Sequence, residues 1–240
     1  RRGAVRLLPI PNIYVMEAAP LTDQETLAEA KEFAERLAAS LPDIIPVAGL
    51  TLKSKLPFKA LSIRELLIHR VSELASSAVE NFERGRTVAA IALTRGVIET
   101  VAVLFALHER VERFLEDKNV DELDAFLMRT LMGSRTNGDL PVAANILTLI
   151  DRLHLAVEGT RTTYDALCEI THPNWAGLLG SFGELDRQAM ELRLGATGRS
   201  RGMSAGVNAL SGALMTFQHY YNELAGLIGQ LNEHFETRTK

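Results

Sequence analysis

Residues 88–107 read VAAIALTRGVIETVAVLFAL, and the fold turns on how this run is interpreted. On a helix of 3.6 residues per turn, Ala90, Leu93, Val97, Val101 and Leu104 line one side. Val88, Ile91, Ala92, Ile98, Ala102 and Ala106 line the other. A helix that is apolar all round is enclosed, either by other helices or by lipid. Arg95 and Glu99 decide between the two. Each would cost about 2.5–3.5 kcal/mol at a bilayer centre. The run therefore predicts the central helix of a bundle, extending from Arg86 to Lys118, and no membrane partner.

The flanking sequence supplies the helices that enclose it. Upstream, Thr22 and Glu25 form a capping-box pattern ahead of Leu27, Ala30, Ala34, Leu37 and Leu41, predicting a helix over 23–40. Pro42 and Pro46 end it, and a loop follows to Ala60. Ser62 and Glu65 repeat the capping pattern ahead of Ile63, Leu67, Val71, Leu74, Ala78 and Phe82, with Gly85 as the stop. Downstream, Asn119 or Asp121 can cap a helix that runs through Leu131 to Gly133. Pro141 suits the first turn of a helix to Val157, and a further helix from Thr160 to His172 is closed by Pro173. In the last helix Val207, Leu210, Leu214, Phe217, Tyr221, Leu224, Ile228, Leu231 and Phe235 alternate steps of three and four. That is a heptad row, which either packs inside its own subunit or forms the seam of a homo-oligomer, most simply a dimer.

The expected fold class is therefore all-α: a multi-helix bundle with a long C-terminal helix and a possible small β-hairpin or lid in 175–200. Residues 1–240 form a single helical domain. Within it, 1–20 is an extended N-terminal arm containing Pro9 and Pro11, 21–174 the helical core, 175–202 a glycine-rich loop or hairpin, and 203–236 the long C-terminal helix.

Composition narrows the function classes. The chain has 240 residues, 47% hydrophobic and 23% charged, with a formal charge of −4. This is a soluble globular composition, without the clustered basic charge of broad nonspecific nucleic-acid binding. The single Cys, Cys168, can form no internal disulfide and fits a cytoplasmic location.

Chemistry concentrates in two places. Arg95 and Glu99, about 40° apart round one helix, are expected to be buried together, either as an ion pair that fixes helix register or as the polar floor of a pocket. The second place is the stretch Tyr164 to Trp175, which holds the only Cys, the only Trp and a His-Pro-Asn stop. Arg161, Asp165, Cys168, Glu169 and His172 share a stripe that is either a solvated face or the side of a cleft. In the second case His172 and Asn174 project into that cleft as donors and acceptors, with Trp175 as its wall. Tyr164 lies at the edge of the stripe, as a core residue or a site residue. Glu169 and His172 have the Glu-x-x-His spacing of di-iron bundles, but no second such pair exists, so no metal or other cofactor is expected. His-Glu-x-x-His, Gly-x-x-x-x-Gly-Lys and Gly-x-Ser-x-Gly are absent, which removes support from zinc-protease, nucleotide-dependent and serine-hydrolase functions.

An Arg-x-x-x-Glu inside a buried helix, then Tyr-Asp-x-Leu-Cys-Glu and His-Pro-Asn, resembles a family of bacterial all-helical proteins grouped loosely with the HEPN superfamily. The residues that carry the resemblance are Arg95, Glu99, Tyr164, Asp165, Glu169, His172, Pro173 and Asn174. It implies a helical bundle, often dimeric, and in many members a metal-independent ribonuclease of toxin or phage-defence systems. Their Arg-then-His signature finds a match here only in Arg64 and His69, about 140° apart on a helix, with His69 on the solvent side. Two functions follow as expectations. One is an interaction or regulatory module with a polar pocket around Arg95, Glu99, His172 and Asn174. The other is a ribonuclease acting on RNA, with His172 as general acid or base, Arg95 or Arg161 stabilising developing charge, and Asn174 orienting the scissile group.

Overall fold

The computed structural model describes residues 21–195 and 199–237; the N-terminal arm expected over 1–20 lies outside them. The chain is all-α with one small hairpin. Its elements are α1 (Asp23–Ala39), a 3-10 turn (Val47–Gly49), α2 (Leu56–Glu83), α3 (Thr87–Asp117), α4 (Val120–Met132), α5 (Ile146–Ala156), α6 (Thr160–Thr171), α7 (Leu179–Phe182), β1 (Gly183–Asp186), β2 (Glu191–Leu194) and α8 (Arg199–Thr237). Helices α1, α2, α3 and α8 pack on one another as a four-helix core. Helices α5 and α6 pack on α3 and on each other, and α4 packs across α2 and α3, so α3 is flanked by α2, α4, α5, α6 and α8. It is long and apolar enough to cross a membrane by length and composition, but in this fold it is the enclosed helix.

Local chemistry sets the helix ends. The Thr22 hydroxyl accepts from the Glu25 amide while the Glu25 carboxylate accepts from the Thr22 amide, closing the predicted capping box. Two crossed bonds end α2, from Gly85 N–H to Phe82 C=O and from Arg86 N–H to Asn81 C=O, so the chain turns directly into α3. Asn119 caps α4 through the Glu122 amide.

Three expected boundaries move. Helix α2 begins at Leu56 rather than Ser62, because Pro57 fits its first turn and Ser54 Oγ accepts from the Leu56 amide. Ser62 and Glu65 are therefore interior residues, not a cap. Helix α5 begins at Ile146 rather than Pro141: Asn145 accepts from the Leu147 amide, while residues 141–143 pair with Ser134 in a short bridge. Helix α8 begins at Arg199, ahead of the expected 203, and runs 39 residues.

The heptad row of α8 is consumed inside its own chain. Val207, Leu210, Leu214, Phe217, Leu224 and Leu231 are fully buried against the other core helices, each contributing about 1.5–3 kcal/mol by leaving water. In the hairpin β1 pairs antiparallel with β2, and Leu185 faces Leu192 on one side while Glu184 faces Arg193 on the other. Its apolar side is largely exposed.

Candidate functional site

Helix α6 is fastened to α3 by a row of polar side chains. Arg95 and Glu99 sit one turn apart on α3, facing α6. Arg95 Nη1 donates to Thr171 Oγ1 at 2.9 Å, and Nη2 donates to the Tyr164 hydroxyl at 3.1 Å. That hydroxyl donates in turn to Glu99 Oε1 at 2.8 Å. Tyr164 thus relays between cation and carboxylate, whose direct separation is 3.9 Å. The guanidinium also lies 5.2 Å from the Tyr164 ring centre, within cation–π range. Thr171 Oγ1 donates onward to the Cys168 carbonyl at 3.0 Å.

The electrostatics follow from this geometry. Burial pushes the Tyr164 phenol above its ordinary pKa; Arg95 opposes this and Glu99 adds to it. Burial also disfavours charge on Arg95, but Tyr164, Cys168 and Glu99 outweigh it and the guanidinium pKa rises. Arg95 and Glu99 are not buried together as expected: their side chains keep 24% and 29% of their exposure. The reason is that α6 covers only one flank of the pair. Arg95 Nε is nevertheless buried and has no partner among the described residues.

The other residues of the stripe separate into surface groups. Arg161 binds Asp165 at 2.8 Å and Asp151 at 2.6 Å, all at the exposed face. Asn174 Nδ2 donates to Glu169 Oε2 at 2.7 Å, and Asn174 Oδ1 accepts from the Gly177 amide at 3.1 Å. Asn174 therefore shapes the turn after α6. That turn is tight: a Cβ on Gly177 would lie 1.9 Å from the His172 carbonyl oxygen. His172 is the cap of α6; its amide bonds to the Cys168 carbonyl, and its ring is exposed with no hydrogen bond or ion pair among the described residues. Of the single pocket expected around Arg95, Glu99, His172 and Asn174, the structure joins the first two, through Tyr164, and holds Asn174 on Glu169 instead. Among the described residues no three His, Cys, Asp or Glu side chains are grouped as metal ligands.

A cleft of about 620 Å³ opens beside this network, between the first turn of α3, the end of α6, α7 and the first turns of α8. Thr171 belongs to both, bonding Arg95 and lining the cleft. Trp175, 66% exposed, lines it as well, whereas His172 and Asn174, expected to share a cleft with it, are not among the lining residues. Arg86, Thr87, Ala89, Ala92 and Phe182 complete its main surfaces and were not singled out by sequence. Ala92 in particular reads as a buried position on an all-apolar helix, yet it is exposed, because the turn after α6 leaves a gap there.

The most buried polar cluster lies elsewhere. Arg64 is 1% exposed, Glu65 7% and Tyr221 3%. Arg64 Nε donates to the Tyr221 carbonyl at 3.0 Å, its Nη1 binds Glu65, and the Tyr221 hydroxyl donates to Glu65 Oε2 at 2.7 Å. Its guanidinium stacks 3.5 Å from the Tyr221 ring centre. His69 instead faces solvent and pairs with the Pro42 carbonyl at 2.9 Å. Arg64 and His69, the match to the Arg-then-His signature, thus lie in the core and on the surface respectively and share no site. Comparison with protein-family models, with curated proteins and with solved structures finds no match to this chain.

Proposed function

We propose that the chain is a binding module of interaction or regulatory type, presenting the cleft beside Arg95 as its ligand site. The observation that carries this reading is the double role of Thr171: the network that locks α6 to α3 also holds one wall of the cleft. Cleft volumes of roughly 300–1,000 Å³ suit small ligands, and a wall fixed by hydrogen bonds is preorganised for them. Catalysis draws no comparable support. The His172 ring, the candidate general acid or base, has no hydrogen-bond or ion-pair partner among the described residues to orient it. RNA cleavage on the HEPN pattern would further require Arg64 to leave the core.

The test uses a neutral environment-sensitive dye such as prodan, with Trp175 as the intrinsic reporter. Saturable one-site binding is expected, abolished by Ala92→Phe, which fills the cleft from an exposed position and leaves the unfolding midpoint unchanged. Dye binding that is absent, or indifferent to Ala92→Phe, overturns the proposal. So does cleavage of single-stranded RNA that is lost in His172→Ala.

A further inference from the structure

We infer that the ligand of this cleft is a monomeric amphipathic anion, an apolar chain ending in a carboxylate, with its head at Arg86 and its chain along Ala92, Ile170 and Trp175. The inference rests on the proposal that the cleft is a binding site, and adds the chemistry of what fills it. Two observations point to this class.

The walls are apolar and aromatic, and among the described lining residues Arg86 is the sole charged side chain. Its guanidinium has no hydrogen bond or ion pair among the described residues, whereas Arg84 is paired with Glu80 and Arg95 with Thr171 and Tyr164. A cation without a counterion at the edge of an apolar cleft complements a ligand that is negative at one end and apolar along its length. Arg86 is also the cap residue of α3 and offers no side-chain acceptor, so the amides of the first turn of this 31-residue helix are uncapped at the cleft. Anionic oxygens are stabilised at such a helix start. The guanidinium and the first-turn amides both select negative oxygen, and the remainder of the cleft selects hydrocarbon.

The experiment titrates the intact chain with dodecanoate, dodecanol and dodecyltrimethylammonium, each below its micelle-forming concentration, and follows Trp175 emission. Dodecanoate is expected to bind about ten-fold tighter than dodecanol, and the ammonium amphiphile weakest. Arg86→Gln should remove the preference for dodecanoate while leaving dodecanol binding unchanged. Ala92→Phe should abolish all three. If dodecanol and dodecanoate bind alike, and both are lost in Ala92→Phe, the cleft is a binding site but the anionic head is refuted. If none binds and prodan fails too, the underlying proposal falls with it. A Trp175 response to phosphatidylglycerol vesicles without any response to monomeric dodecanoate would replace the small ligand with a lipid surface and overturn the inference.

Discussion

At the scale of single residues, the cluster of Arg64, Glu65 and Tyr221 carries more of the fold's energetics than the Arg95 network. Taking both charges out of water costs several kcal/mol per ion, and only the mutual contact and the Tyr221 bonds offset it. Its position was legible in part. Arg64, Ile68, Val71, Ala75, Ala78 and Phe82 follow one buried stripe of α2, so an Arg in that rhythm marks a buried cation. Interpreting Ser62 and Glu65 as a helix cap hid it, since a cap residue sits at an exposed end. Two substitutions separate the contributions. Glu65→Ala strands the Arg64 charge and is expected to cost about 3–5 kcal/mol. Tyr221→Phe leaves Glu65 Oε2 short of a donor and is expected to cost about 1–3 kcal/mol. Replacing both charges at once, with Arg64→Met and Glu65→Leu, should cost less than Glu65→Ala alone, because it removes the desolvation penalty together with the bond. Urea unfolding curves decide it, and a double variant less stable than Glu65→Ala would refute this account of the cluster.

At the scale of elements, periodicity located the helices and local side chains located their ends. The row from Val207 to Leu231 was visible because steps of three and four persist along α8. The start of α5 was not, because Pro141 and Asn145 both carry start chemistry and only the Asn145 cap is formed. The early start of α8 has a steric counterpart that hydrophobic patterning does not register. Small residues there let α8 cross close over α2 and α3: a Cβ on Gly206 would sit 2.7 Å from Phe82 Cζ and 2.9 Å from Ile91 Cγ1. One turn earlier, Gly202 would place a Cβ 3.1 Å from Thr87 Cγ2, at the edge of the cleft. Gly206→Val is therefore expected to destabilise the bundle by about 1–3 kcal/mol through overpacking. Gly212→Ala, where no atom lies within 4 Å, should be neutral or slightly stabilising through helix propensity. Thermal unfolding of the two variants checks the crossing, and equal midpoints would show that α8 does not approach α2 and α3 this closely.

At the scale of the whole molecule, the cleft was the least legible feature. A cleft forms where helices stop short of one another, and no residue's own pattern records the position of its neighbours' ends. The bundle itself has a property that belongs to no single contact: Tyr164 and Tyr221 are buried in it and Tyr220 is partly buried. Burial raises the phenol pKa of Tyr164 and Tyr220 and raises that of Tyr221 furthest. An unfolded tyrosine ionises near pH 10. Between that pH and the folded values the unfolded chain holds fewer protons than the native one, so stability falls as pH rises. The stabilisation is complete below about pH 10 and is lost through the raised folded values. On the acid side burial lowers the His108 pKa, so its contribution is present above about 6.5 and is lost as pH falls through the lowered folded value. The urea midpoint is therefore expected to form a plateau between these limits and to decline beyond both. Tyr221→Phe should flatten the alkaline decline most, and absorbance at the phenolate band should show Tyr164, Tyr220 and Tyr221 ionising later than free tyrosine. A native protein in which every tyrosine titrates near pH 10 would mean that α8 and α6 do not bury them against α2 and α3, and the packing of the bundle would have to be redrawn.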